Sequence, residues 1–337
     1  MKIILDAMGG DNAPAAVVEG AVQAVAAYDV DIVLVGREDE VRACLRECEA
    51  AENERISVVH APDVIDMHDD PATAIREKKE ASMTIALRML ASGEGDAVVS
   101  AGSTGALLSG ATLIGKRIRG IRRAAMAPVL PNEKYGAVLI DCGANVECTP
   151  EYLLQFAFMG AFYSKQILGC PEPKVGLLNI GTEDTKGGEL QKAAYALLQK
   201  ASEDGRIRFI GNVEAREVFS GNVDVVVTDG FSGNVLLKGI EGTALFLMKL
   251  IKKSMMRTIV SKLGALLVGK ELRKLKKLFD AGETGGTPML GISKAVIKAH
   301  GSSDARAIAS AVRQAKQFVE SGVISEIEKH IDDMKTA

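Results

Sequence analysis

Residues 175–190 read VGLLNIGTEDTKGGEL, and this stretch decides the class of fold. Val175, Leu177 and Leu178 form a short apolar run of the kind a buried strand needs. Asn179, Gly181, Gly187 and Gly188 break that run into a turn, and Leu190, Ala193, Ala194, Leu197 and Leu198 follow at helical spacing. A strand that ends in a polar, glycine-bearing turn and re-enters as a helix is one unit of an open α/β sheet. The carboxyl end of such a strand, next to a helix N-terminus, is where these sheets bind ligands.

Working outward, the same unit recurs along the chain. Strand-length apolar runs lie at residues 3–7, 31–35, 56–59, 96–100, 137–141, 174–178, 207–210, 224–228 and 295–299. Helical patterns lie between most of them, at 15–27, 81–90, 104–115, 150–168, 190–200 and 304–319. This alternation predicts an α/β fold with a doubly wound, mainly parallel sheet covered by helices, formed as a single domain over residues 1–337.

Six of the strands end alike, in DAMGGD (residues 6–11), SAGSTGA (100–106), DCGAN (141–145), NIGTEDTKGG (179–188), TDGFSGN (228–234) and AHGSSDA (299–305). Each sets glycine beside small polar or charged residues and then starts a helix. Any one of them is explained by helix capping and a tight turn. Strands of a parallel sheet present their carboxyl ends on one side, however, so several such turns can face one crevice.

The overall composition narrows the function. The chain has 337 residues and 47% hydrophobic content, enough for a sizeable core. Lysine plus arginine number 41 against 44 acids, which argues against a general nucleic-acid binder. The five cysteines, Cys44, Cys48, Cys142, Cys148 and Cys170, show neither C-x-x-C spacing nor histidine partners, so we expect buried thiols in a reducing cytosol and no structural zinc. The N-terminus lacks the pattern of a signal peptide, and no run reaches the ~18 apolar residues of a spanning helix. Neither G-x-x-x-x-G-K-[ST] nor a full G-x-G-x-x-G occurs, which removes the common nucleotide sites, and without G-x-S-x-G a serine hydrolase has no elbow.

Residues 243–278 depart from the alternation. Between Lys249 and Lys277 lie ten lysines or arginines and one acid, Glu271, interleaved with apolar residues. Gly264 and Gly269 suggest two amphipathic helices around an apolar tip formed by Leu263, Leu266, Leu267 and Val268. A dimer interface with a basic rim, an element lying on anionic lipid, and a docking site for an acidic protein all fit this pattern.

Taken in order, DAMGGD, SAGSTGAL, DCGANV, LLNIGTED-x-KG, IGNVEAR (residues 210–216), TDGFSGNV and IKAHGSSDA closely resemble the bacterial fatty acyl-ACP:phosphate acyltransferase family. The resemblance spans residues 1 to about 319. It implies a homodimeric enzyme, bound peripherally at the inner face of the cell membrane, that moves a long-chain acyl group from acyl carrier protein (ACP) to inorganic phosphate. The acyl phosphate would pass to a membrane glycerol-3-phosphate acyltransferase for phosphatidic acid synthesis. It also implies a fold similar to that of the isocitrate and isopropylmalate dehydrogenases and of phosphate acetyltransferase, with residues 243–278 as a protruding helix pair. No cofactor, metal or nucleic-acid partner is implied. An acyl-CoA donor, or a non-catalytic adaptor on a lipid surface, are the alternative readings.

The proposed chemistry needs an anion site, stabilisation of a tetrahedral oxyanion and a route out for a thiolate, but no enzyme nucleophile. Lys186 is the first choice for a cation on a glycine-rich turn. His300 is a candidate proton donor to sulfur or a phosphate ligand, and Asn234 an amide donor. Gly9, Gly10 and Asp11, Ser100, Ser103 and Thr104, Asn145, Asn179, Gly181 and Thr182, Asp229 and Ser232, and Ser302 are expected to line the substrate site, with capping the rival role for several of them. Glu183 and Asp184 would orient Lys186 rather than touch phosphate.

Overall fold

A computed structural model describes residues 1–278 and 285–335. Its strands are β1 (Lys2–Asp6), β2 (Asp31–Gly36), β3 (Ile56–His60), β4 (Ala97–Ser100), β5 (Ala125–Met126), β6 (Val129–Leu130), β7 (Ala137–Ile140), β8 (Lys174–Leu178), β9 (Arg208–Val213), β10 (Val225–Val227), β11 (Thr287–Leu290) and β12 (Ala295–Lys298). All nine strands expected from the apolar runs are present.

The strands divide between two sheets rather than one. A seven-stranded sheet has the order β3-β2-β1-β4-β12-β11-β5, and a five-stranded sheet the order β6-β7-β10-β8-β9. The β3-β2-β1-β4-β12 run is parallel, as is β7-β10-β8-β9. The strands the apolar pattern missed all pair antiparallel, β5 and β6 as edge strands and β11 between β12 and β5. Their position explains the division. Residues 125–130 read AMAPVL, and Pro128, which has no N–H to give a ladder, separates β5 in one sheet from β6 in the other.

The central strands carry apolar side chains on both faces, as a parallel sheet covered by helices requires. Ile3, Ile4 and Leu5 of β1 and Val225, Val226 and Val227 of β10 are all fully buried or nearly so. Helix Ala15–Ala27 packs closely on helix Ala305–Glu320 at Gly20, where a Cβ would lie 2.6 Å from the Ala305 carbonyl oxygen and from Ile308 Cβ. That approach, possible only for glycine, draws the turn after β1 against the turn after β12. The helix expected over residues 104–115 is α-helical at Thr104–Gly110 and continues as a π-helical turn at Ala111–Gly115.

The basic amphipathic segment forms a helical pair. Helix Gly230–Met255 starts at the end of β10 and runs past the sheets, and helix Ile259–Leu278 folds back along it. Leu263, Leu266, Leu267 and Val268 are all exposed, Leu267 to 87%. Among the described residues, no helix is long and apolar enough to cross a membrane.

Candidate active site

Between the two sheets lies a cavity of about 730 Å³. Its floor comes from adjacent strands β1, β4 and β12, whose carboxyl ends converge because the strands are hydrogen-bonded neighbours in the sheet. The three turns are tied together. Asp11 N–H donates to the Gly301 carbonyl at 2.8 Å, and Asn12 Nδ2 donates to the Ser302 and Ser303 carbonyls, each at 3.2 Å. Gly9 sits where a Cβ would lie 2.6 Å from Asp6 Oδ2 and 2.7 Å from the Gly102 nitrogen, so the first turn tolerates no side chain there.

At the base of this junction lie Asp6 and Lys298, both buried. Asp6 accepts hydroxyl hydrogen bonds from Ser82 to Oδ1 and from Ser100 to Oδ2, both at 2.6 Å. Burial pushes its pKa up against these bonds. Lys298, the last residue of β12, lines the cavity and donates to the carbonyls of Ala101 and Ala299. Burial lowers its pKa to about 8, opposed by the charges of Asp6 and Asp11. An ammonium carries three N–H groups. Two are engaged by these carbonyls, which leaves one for a ligand in the cavity.

His300 and Ser302 stand at the rim. His300 Nδ1 lies 2.8 Å from Ser302 Oγ and accepts the Ser302 N–H at 3.3 Å. An amide can only donate, so Nδ1 keeps its lone pair and the neutral ring carries its proton on Nε2. Ser103 and Thr104 open helix Thr104–Gly110 at the cavity, where the first N–H groups of the helix have no carbonyl partner in their own helix.

The opposite wall comes from the five-stranded sheet. Gly143 after β7 lies against Asn234, with a Cβ position 3.6 Å from Asn234 Cγ, and both line the cavity. Beyond Asn234, the wall is helix Gly230–Met255 itself, through Leu237, Ile240 and Ala244. Val64, Ile65 and Met67 on one side and Val129, Leu130 and Pro131 on another make it apolar. The cavity therefore joins a floor that holds Lys298 and Asp11 to mainly apolar walls, with Asp66, Lys238 and Glu241 as their charged members.

Residues 1–326 match the model of a family described as "Fatty acid synthesis protein". The chain is 46% identical over 332 residues to a phosphate acyltransferase of Clostridioides difficile (strain 630), covering 98% of this chain and 96% of that protein. It is 47% identical to one from Desulfitobacterium hafniense (strain DSM 10664 / DCB-2), covering 98% of each. The chain belongs to the phosphate acyltransferase family of enzymes. Among solved structures, a phosphotransacetylase from Streptococcus pyogenes superposes with a TM-score of 0.61 at 18% identity, over 95% of this chain and 94% of that one. EutD phosphotransacetylase from Staphylococcus aureus gives 0.58 at 17% identity, over 96% and 94%. At that identity the likeness is one of fold.

Within this phosphate acyltransferase fold, the strand endings singled out in the sequence separate into groups. Gly10, Asp11, Ser103, Thr104, Asn234, His300 and Ser302 line the cavity. Gly9 and Ser100 lie directly beneath, around Asp6. Asn145 is held in the fold: its Nδ2 donates to the Ala124 carbonyl at 2.8 Å and to Asp141 at 2.9 Å. Asp229 caps helix Gly230–Met255, accepting from the Ser232 N–H and hydroxyl, each at 2.8 Å. These two side chains satisfy one another outside the cavity.

The turn after β8 stands apart. Asn179, Gly181, Thr182 and Lys186 do not line the cavity, because β8 lies one strand beyond β10 in the smaller sheet. Asn179 Nδ2 closes the turn on the Lys186 carbonyl at 3.1 Å. Lys186 Nζ lies 3.9 Å from Glu183 Oε1, with the lysine side chain 46% exposed.

Sequence reasoning missed Lys298 and the apolar wall. The signal for Lys298 was present: it is the one charged residue closing the apolar run Ala295, Val296, Ile297. Among the described residues no group of histidine, cysteine and acidic side chains is arranged to hold a metal ion. The cysteines are free, and burial pushes the Cys142 and Cys148 thiols up to about 12, which leaves both unreactive at neutral pH.

Proposed function

We propose that the protein transfers a long-chain fatty acyl group from an acyl-ACP thioester to inorganic phosphate, giving acyl phosphate. The observation that carries this reading is Lys298, a buried cation with an N–H to spare at the floor of a cavity whose walls are apolar. A phosphate dianion suits that floor, and the thioester with its hydrocarbon chain suits the walls.

In this reading Lys298, Ser103 and the helix start at Thr104 hold phosphate. A phosphate oxygen attacks the thioester carbonyl carbon, forming the new C–O bond and a tetrahedral oxyanion. Asn234, on the facing wall, donates its amide N–H to that oxyanion. Collapse breaks the C–S bond. The phosphate hydroxyl gives up its proton, and the departing thiolate gains one, with His300 as the carrier between them. Lys186 is retained as a second cation acting outside the cavity, with Asn179, Gly181 and Thr182 shaping its turn.

The wider setting belongs to the same proposal. The basic helix pair rests on an anionic membrane surface at the cytoplasmic face, a second copy of the chain completes a homodimer, and the acyl phosphate passes to a membrane glycerol-3-phosphate acyltransferase. Incubation with acyl-ACP and phosphate should consume thioester only when phosphate is present and yield an acyl phosphate trapped by hydroxylamine. Thioester loss without phosphate dependence would overturn the reading, and a preference for acyl-CoA would replace ACP as donor.

A further inference from the structure

The helix that walls the cavity does not end there. Leu237, Ile240 and Ala244 face the cavity, and Met248, Ile251 and Met255 continue the same face, half-buried, towards the turn of the helical pair. The spacing of three and four residues keeps these positions on one stripe. The neighbouring Leu245, Phe246 and Leu247 lie on the outward faces and are exposed. Lys238 and Glu241 also reach the cavity, but Lys238 Nζ pairs with Glu241 Oε2 at 2.7 Å, so the wall is not a second charged site.

We propose that the acyl chain lies along Leu237, Ile240 and Ala244, and that Ala244 sets the chain length the enzyme accepts. The inference rests on the acyl-transfer reading and adds the place of the chain and the residue that limits it. From Asn234, beside the reacting carbonyl, to Ala244 is ten residues of helix, about 15 Å. An extended hydrocarbon chain, with C–C bonds of about 1.5 Å at tetrahedral angles, advances about 3.8 Å per three bonds, so roughly a dozen carbons fill that distance. A longer chain passes Ala244, whose single methyl group leaves the way open, and reaches Met248 at the base of the paired helices. A bulky side chain at 244 closes the track, and every methylene beyond it loses its apolar partner.

The test compares octanoyl-ACP with palmitoyl-ACP at saturating phosphate, using the full-length protein and the variants Ala244→Leu and Ala244→Phe. Each buried methylene is worth about fourfold in kcat/KM. Palmitoyl transfer by Ala244→Phe should fall at least about tenfold relative to octanoyl transfer, with Ala244→Leu intermediate and the KM for phosphate unchanged. An unaltered palmitoyl-to-octanoyl ratio, or an equal fall for both, would overturn the track while the acyl-transfer reading stands. A wild-type protein inert towards both thioesters would overturn that reading and the track with it.

Discussion

The Ser100 hydroxyl donates to Asp6 Oδ2 at 2.6 Å and accepts the Gly102 N–H at 3.1 Å. A hydroxyl that looks in the sequence like a ligand for phosphate is thus engaged in fixing a buried carboxylate and the turn beside it. Asp6 in turn raises the pKa of Lys298 through its charge. The floor of the cavity is a set of groups that hold one another, with Lys298 the member that lines the cavity.

Replacing Lys298 should therefore damage phosphate binding selectively. Lys298→Met keeps the stem and removes the charge, and the loss of a charge-assisted hydrogen bond predicts a rise of about tenfold to a hundredfold in the KM for phosphate. Lys186→Ala should raise that KM by less, since Lys186 does not line the cavity. The wild-type KM for phosphate should also depend on pH. Lys298 is an ammonium below about pH 8 and loses its proton above, so affinity should weaken on the alkaline side. Steady-state kinetics across pH 6 to 10 check both points, and Lys298→Met should lack the alkaline limb.

Asp6→Asn makes a prediction of opposite sign for stability and for binding. Burial raises the Asp6 pKa, so its contribution to stability is full in acid and is lost as pH rises through the folded-state value. Wherever Asp6 is ionised, the buried carboxylate is a net cost. The asparagine amide can still bond both serine hydroxyls, so Asp6→Asn should unfold at an equal or higher temperature at pH 7. Without the Asp6 charge, however, Lys298 loses its proton more readily, and the alkaline limb of the phosphate KM should move to lower pH. Thermal unfolding and the pH profile read the two effects separately, and an unmoved limb would count against electrostatic coupling between Asp6 and Lys298.

Much of this floor was legible in the sequence, for reasons that particular residues make plain. Gly10, Ser103 and His300, which line the cavity, stand out in the sequence because turns after strands are built from few residue types, and their order fixes which helix each one starts. The same rule points to Lys186, which does not line this cavity. The turn after β8 has the composition of a ligand turn, but strand order decides which turns meet, and order is set by long-range pairing that local pattern does not contain. Lys298 escaped because a lysine at the end of a strand reads as an ordinary surface residue until its neighbours bury it. The division into two sheets was hidden in β5 and β6, which at two residues each are too short to leave a period.

Asp141 carries structure rather than chemistry, and its removal should show in stability. It is fully buried and accepts from the backbone N–H groups of Met126, Cys142, Ala144 and Asn145 and from Asn145 Nδ2. Asp141→Ala leaves these donors without their acceptor and should destabilise the protein by about 3 kcal/mol or more. Urea unfolding should show a lower midpoint with an unchanged slope. A loss below about 1 kcal/mol would mean that water or a shifted turn replaces the carboxylate.

The tip of the helical pair gives the clearest separation of surface from site. Leu266 is 78% exposed and Leu267 87%, far from any core, so a charge at Leu266 should cost the fold little. On a membrane the same side chain would enter the headgroup boundary, where burying a leucine is worth about 1.5–3 kcal/mol. Leu266→Asp should thus weaken binding to anionic liposomes by about tenfold or more in a flotation assay, while soluble acyl-ACP is turned over at the wild-type rate. The ten basic residues between Lys249 and Lys277 add an electrostatic part that salt should screen, since the Debye length is only about 10 Å at 0.1 M. Flotation that ignored both anionic lipid and salt, or that survived Leu266→Asp, would instead leave the tip free to bind protein.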